Sequence, residues 1–309
     1  MRVFDGLADV PADAGPSVVT IGKFDGVHTG HRAVIAELRA RAEALGVASA
    51  VVTFDRHPLA HLAPEKCPEP LVSVRQKLDL LAGTGVDETL LLHFDARLAS
   101  LEPDEFVRRV LVDALGAREV LVGGDFRYGH RGAGDVASLA AAGERYGFAV
   151  RVVDDVVPEA DRRVSSTWIR ELLDTGDVAA AGRLLGHEPS VRGIVVHGAA
   201  RGRELGFPTA NLAADSEGLI PADGVYAGWL VDGGERLPAA ISVGNNPTFD
   251  GVPQRQVEAY VLDRELDLYD HVVDIAFAER LRGMVAFDGL EPLMAQMRQD
   301  VADVRAALG

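Results

Sequence analysis

The sequence predicts an α/β domain on a parallel, doubly wound sheet, followed by an antiparallel β-barrel with a C-terminal helix. Three observations predict it. In the first half short apolar runs alternate with amphipathic stretches of helical period, as strands and crossover helices do in a parallel sheet. Beyond His187 the texture changes to short β-type runs separated by Gly, Pro and Asp-rich turns, the pattern of an antiparallel barrel. The length, 309 residues, exceeds what one core organises, since domains typically hold about 100–150 residues. The boundary is placed after residue 185, giving domains 1–185 and 186–309.

The elements follow in order. Ser17–Ile21 reads as the first strand, ending at Gly22 and leading through a loop into a helix over His31–Leu45 that Gly46 stops. Ala48–Phe54, Glu88–Phe94, Glu119–Val122 and Phe148–Val153 read as further strands, with helices over Arg75–Leu81, Pro103–Leu115 and Asp135–Tyr146 between them. Two short helices, Thr167–Leu173 and Asp177–Leu185, are expected to close the first domain. The barrel strands are Gly193–His197, Gly224–Val231, Ala239–Val243, Gln256–Leu262 and His271–Phe277, and Leu290–Leu308 returns to helical periodicity.

Composition narrows the function. The formal charge is −16, and both parts are acidic: 21 basic and 28 acidic groups up to residue 185, 10 and 19 beyond it. A nucleic-acid partner is therefore not expected, because a phosphate backbone is held by clustered Lys and Arg. Only Lys23, Lys66 and Lys77 of the 31 basic residues are lysines. Cys67 is the single cysteine, which excludes an intramolecular disulfide and a thiolate-rich metal site. The N-terminal stretch lacks the basic and long apolar regions of a secretory signal, and no uninterrupted apolar run reaches the roughly 20 residues that span a bilayer. No membrane partner is expected, and a cytoplasmic protein is implied.

The segment GKFDGVHTGH, Gly22–His31, lies where the first strand gives way to the first helix. Glycines there let the backbone approach a phosphate, a helix N-terminus offers unpaired N–H groups, and His28 and His31 stand three residues apart, so two imidazoles can meet one phosphate. Alone, an HxxH of this kind is more readily a structural turn. The whole string resembles the HxGH signature of nucleotidyltransferases in its longer GxFDGxHxGH form, that of FAD synthetases. TFDRHP at 53–58, VGGDFRYG at 122–129 and VSSTWIR at 164–170 resemble that family's TFxPHP, VGxDFxFG and VSSTxIR in the same order. The resemblance implies a Rossmann-like nucleotidyltransferase domain in which an FMN phosphate oxygen attacks the α-phosphorus of ATP and pyrophosphate leaves. It implies that His28 and His31 hold the α-phosphate, and that Gly22, Phe24, Asp25, Ser165, Ser166, Thr167 and Arg170 bind ATP. His57, Pro58, Asp125, Phe126 and Tyr128 would line the flavin side. Arg56 stands where the family usually has proline, and Lys23 where it often has Asn or an apolar residue.

In the second domain GAARGRELGFPTANL, Gly198–Leu212, concentrates glycine and arginine donors but lacks the lysine and spacing of a P-loop. It resembles the GRxLGFPTANL of riboflavin kinases. PADGVYAG at 221–228, ISVGNNPTFDG at 241–251 and VEAYVLDRELDLYD at 257–270 resemble successive segments of that family. The resemblance implies ATP binding by Gly198, Gly202 and Pro208, magnesium of Mg-ATP on Thr209 and Asn211, and Glu258 as general base for the ribityl 5′-hydroxyl. LRGMVAF at 281–287 departs from the charged residues that many such kinases place before the phenylalanine. Riboflavin, FMN and ATP are then the molecules bound, and a homo-oligomer is left open. Two alternatives stand beside this expectation: a monofunctional enzyme with one degenerate domain, and a non-catalytic flavin-binding regulator.

Overall fold

A computed structural model describes residues 1–154, 162–198, 206–244, 255–264 and 266–309. By backbone contacts they form two compact units, Met1–Pro70 with Val74–Val164, and Leu71–Ser73 with Ser165–Gly309.

The first unit holds a six-stranded parallel sheet. Its strands are β1 Arg2–Asp5, β2 Ser17–Ile21, β3 Ala48–Phe54, β4 Glu88–Leu92, β5 Ala117–Gly123 and β6 Ala149–Val153, in the order β1-β4-β3-β2-β5-β6. Successive side chains of a strand point to opposite faces. Val19, Ile21, Ala50 and Val52 accordingly enter one core cluster, and Val18 and Val51 another. Burial on both faces explains why these strands read as continuous apolar runs. The chain order turns around at β2, which lies between β3 and β5, and ligands of such sheets bind beyond the strand C-termini at that switch point. The loops after β2, β3 and β5 are the segments 22–31, 53–58 and 122–129.

The helix after β2, Thr29–Leu45, buries Ile35, Leu38 and Ala42 along one face and ends on Gly46, whose φ of 66° is the left-handed cap expected of glycine. Two departures from expectation appear. The four residues of β1 form an edge strand with only Phe4 buried, too little apolar pattern to be read in advance. The expected helix at 103–115 begins as α-helix, Pro103–Phe106, and continues as π-helix over Val107–Ala114.

The second unit is a closed barrel in the order β10-β11-β8-β7-β12-β9. Its strands are β7 Ser190–Val196, β8 Ala210–Leu212, β9 Gly224–Asp232, β10 Glu235–Gly244, β11 Gln256–Val261 and β12 Val272–Arg282. Closure brings β9 close to β12: a Cβ on Gly228 would lie 2.1 Å from the Ala276 carbonyl oxygen, so that position admits only glycine. The terminal helix Leu290–Leu308 lies on the barrel, with Val304 buried beside Ala227 and Leu262 and Asp300 paired to Arg282 at 2.6 Å. Strand β8 lies inside the segment 198–212, where Gly and Pro mask its three residues.

The helices Ser166–Thr175 and Val178–Leu185 were expected to close the first domain. Their packing instead groups them with the barrel. The second of them buries Val178, Ala181, Leu184 and Leu185 and packs on β12. Ala222 N–H donates to the Leu173 carbonyl at 2.9 Å, and Arg280 Nη1 donates to the Thr175 carbonyl at 3.0 Å. Helical period places a helix but not the surface it covers.

Candidate active sites

At the end of β2 the chain makes an unusual turn. Phe24 and Val27 have φ values of 49° and 41°, in the left-handed region that side-chain-bearing residues seldom occupy, and both are buried. Such backbone persists only where the surroundings impose it, and it clusters at functional sites. A Cβ on Gly22 would meet the Phe24 ring at 3.0 Å. Asp25 opens the 3-10 turn Asp25–Val27 that delivers the chain to the helix. His28 then caps Thr29–Leu45, its Nδ1 accepting the His31 backbone N–H at 3.3 Å. That bond places the single proton of the neutral His28 ring on Nε2, leaving a donor to face a ligand.

The two predicted histidines are brought together. Their rings stack with centroids 3.6 Å apart, and Phe24 supports His31 from 5.0 Å. Burial, then the charge of Arg163, lowers the His28 pKa to about 4. His31 is lowered well below its usual 6.5, first by burial, then by His28, Lys23, Arg163 and Lys77. His31 Nδ1 is buried and has no hydrogen-bond partner among the described residues. Two neutral imidazoles in a field of nearby cations can donate to phosphate oxygens without repelling each other.

On the next strand, His57 caps the short helix Pro58–Leu62 by accepting the Leu59 N–H on Nδ1 at 3.1 Å, with Pro58 at its first position. After β5, Asp125 pairs with Arg163 at 3.1 Å, and the Phe126 and Tyr128 rings stack 5.5 Å apart. Phe126 is half-buried, whereas Tyr128 is 7% exposed, packs on Phe106 and shares a hydrogen bond with Ser138. Tyr128 thus stands behind Phe126 in the core. Ser165 caps Ser166–Thr175, its Oγ accepting the Trp168 N–H at 3.2 Å. Ser166 and Thr167 form the first turn of that helix and Arg170 follows one turn on.

Sequence reasoning missed Arg163 and Lys77. Arg163 directly precedes the segment 164–170, a signal that was available. Lys77 lies in the helix Val74–Ala82, outside every motif.

In the barrel, β8 and β11 pair so that Asn211 lies opposite Glu258. Thr209 Oγ1 donates to Glu258 Oε2 at 3.5 Å, and Asn211 Nδ2 donates to the Thr209 carbonyl at 3.1 Å. The predicted group Thr209, Asn211 and Glu258 is therefore assembled. The amide bond turns Asn211 Oδ1 away from Thr209 O and leaves it as an acceptor. A Cβ on Gly198 would fall 2.5 Å from the Asn211 amide carbon, so a larger residue there must displace the Asn211 side chain. Burial raises the Glu258 carboxyl above its usual 4.5, against the lowering by Thr209. A cavity of about 150 Å³ is lined by His197, Gly198, Pro208, Thr209, Asn211 and Tyr269, among others, and His197 stacks on Tyr269 at 3.8 Å. Gly202 lies outside the described residues. His197 and Tyr269 were not singled out in the sequence.

Thr209 and Asn211 offer neutral oxygens near one carboxylate, a donor set that suits magnesium when phosphate and water complete it. Among the described residues no group of three or more His, Cys, Asp or Glu could hold a metal ion.

Comparison with known proteins gives the family. Residues 10–168 match the family model for FAD synthetase, and residues 185–308 that for riboflavin kinase. The chain is 40% identical to the bifunctional riboflavin kinase/FMN adenylyltransferase of Pseudomonas fluorescens, over 99% of this chain and 97% of that protein. It is 36% identical to the protein of that description from Escherichia coli (strain K12), over 100% and 97%. A solved structure described as a macrolide-efflux protein from Streptococcus pneumoniae is similar with a TM-score of 0.89 and 31% identity, covering 99% of each chain. Among the described residues no helix is long and apolar enough to cross a membrane. With both family models matched in chain order and full-length relatives above 30% identity, the chain belongs to the family of bifunctional riboflavin kinase/FMN adenylyltransferases.

Proposed function

We infer that the protein phosphorylates riboflavin to FMN at the barrel and joins FMN to the AMP part of ATP at the parallel sheet, releasing pyrophosphate. The observation that carries this reading is that the stacked His28–His31 pair lies in one unit and that Thr209, Asn211 and Glu258 lie together in the other.

At the sheet no protein nucleophile is required. Positioning and charge stabilisation carry such transfers. His28 Nε2–H and His31 hold α-phosphate oxygens as negative charge builds on them. Gly22, Phe24 and Asp25 shape the loop that receives the nucleotide. Ser165, Ser166, Thr167 and Arg170 belong to the same reading by their place in the matched segment 164–170, a capped helix N-terminus whose donors suit the β- and γ-phosphates. His57, Pro58, Asp125 and Phe126 face the flavin, with Tyr128 holding Phe126 in place.

At the barrel Glu258 takes the proton of the ribityl 5′-hydroxyl as that oxygen attacks the γ-phosphorus, and ADP leaves. Thr209 Oγ1 and Asn211 Oδ1 would hold the magnesium of Mg-ATP, which would neutralise phosphate charge. Gly198 and Pro208 border the nucleotide. Gly202 belongs to the same reading by its place in the matched segment. The reading takes the chain as cytoplasmic and without a nucleic-acid partner, the latter supported by the acidic charge of both parts.

Incubating the purified protein with riboflavin and Mg-ATP and separating the flavins by chromatography tests the reading. FMN and FAD are expected in succession. FMN alone points to the monofunctional alternative, and flavin binding without turnover to the regulator.

A further inference from the structure

Lys77 is 8% exposed on the helix Val74–Ala82, and its Nζ meets two backbone carbonyls. It donates to the Phe54 carbonyl at 2.6 Å and to the Lys23 carbonyl at 3.4 Å. Thr53 Oγ1 donates to the same Lys23 carbonyl at 3.1 Å. Phe54 ends β3 just ahead of His57, and Lys23 follows β2 just ahead of His28. One ammonium therefore binds together the loop bearing the α-phosphate histidines and the loop on the flavin side.

A neutral donor would suffice to hold two carbonyls, and burying a charge is costly unless it is compensated. Among the described residues no carboxylate lies within ion-pair distance of Lys77. The cost is visible in its pKa, lowered by burial to about 8 against the opposing pull of Asp25 and Asp55. The choice of residue is also specific. In a chain with 31 basic residues, this is one of three lysines. A compact ammonium with three donors fits two converging carbonyls where a planar guanidinium fork does not. The groups facing it are Asp25 after β2, Asp55 after β3 and His31 on the first helix, and its charge is among those that lower His31.

We propose that Lys77 is a positioning residue for adenylyl transfer, its buried ammonium tying the nucleotide loop to the flavin loop and supplying positive charge beside the histidine pair. The proposal rests on the adenylyl-transfer reading of this site. The charge is useful because the reaction brings the phosphates of FMN and ATP together, and their mutual repulsion must be offset before attack.

The test uses the full chain and three variants, Lys77→Met, Lys77→Gln and Lys77→Arg. FAD formation from supplied FMN and Mg-ATP is followed between pH 6.5 and 9.5, with kcat and KM for each substrate, and riboflavin phosphorylation is measured alongside. In the unaltered protein, kcat/KM for FAD formation should fall through an alkaline limb near pH 8 that the kinase reaction lacks. Lys77→Met should lose at least tenfold in kcat/KM for FAD formation, chiefly through kcat, and should lose the limb. Kinase activity should stay within twofold. Lys77→Gln keeps a donor without the charge and should resemble Met in lacking the limb. Lys77→Arg should recover part of the rate and carry no limb below pH 9.5. A flat profile in the unaltered protein overturns the proposal without any variant. A limb that persists in Met or Gln, or FAD formation within twofold of normal in Met, also overturns it. Complete absence of FAD formation in the unaltered protein would instead overturn the reading on which the proposal stands.

Discussion

The His28 and His31 rings stack 3.6 Å apart while His28 Nδ1 accepts the His31 backbone N–H, so one side chain both caps the helix and presents its Nε2 proton outward. His28→Asn keeps a side-chain oxygen that can cap and removes the imidazole. FAD formation from FMN should fall roughly 10²–10³-fold, the usual loss for a transition-state donor, with riboflavin accumulating as FMN. Stability carries a second signature. His28 titrates at 6.5 in the unfolded chain and near 4 in the folded one, so the unfolded state holds the extra proton between those values. The stability present at neutral pH is therefore lost as pH falls from 6.5 towards 4. Urea midpoints at pH 7 and pH 5 should differ less in His28→Asn than in the unaltered protein. Equal differences would remove the buried neutral imidazole as their source.

Glu258 opposite Asn211 predicts a separation of the two activities. Glu258→Gln should reduce riboflavin phosphorylation by about 10²–10⁴-fold, the range of general-base contributions, and leave FAD formation from supplied FMN within twofold. Phosphorylation that survives within a few-fold means that another group takes the hydroxyl proton.

Gly198 offers a test of the Asn211 geometry. Gly198→Ala places a methyl 2.5 Å from the Asn211 amide and must push that side chain aside. Kinase KM for Mg-ATP should rise at least tenfold with FAD formation unchanged, and an unaltered KM would show that Asn211 has no part in holding Mg-ATP.

The helices that pack on the barrel bear on truncation. A fragment of residues 165–309 should fold and phosphorylate riboflavin, whereas 186–309 discards Val178, Leu184 and Leu185, each buried. At roughly 1.5–3 kcal/mol for each such side chain, the shorter fragment should lose several kcal/mol. Denaturation midpoints of the two fragments decide it: equal stability means that Val178–Leu185 contributes little to the barrel.

Much of this was legible in the sequence. The strand Ala48–Phe54 and the terminal helix Leu290–Leu308 appear with the bounds their patterns predict, because uninterrupted apolar runs and long helical periods leave little choice. His28 with His31, and Thr209 with Asn211 and Glu258, are assembled as their motifs implied. What escaped lacks local signal. β1 buries one side chain, β8 has three residues, and Lys77 acts through backbone carbonyls of residues 23 and 54 positions away, a relation no spacing rule records. The helices at 166–185 are legible from their period, but an apolar face does not name what covers it.

The closed ring of strands bears on behaviour at high concentration. A barrel without a free rim gives a foreign strand no row of unpaired amides to join. Self-association by strand addition is therefore directed to the parallel sheet, whose order ends at β1 and β6. Val3 and Val152, 40% and 51% exposed, are the exposed large apolar side chains on those outer strands, and Arg2 and Arg151 are the positive charges beside them that oppose such growth. Replacing either arginine with an apolar residue should lower the concentration at which the protein comes out of solution, with neither active site touched.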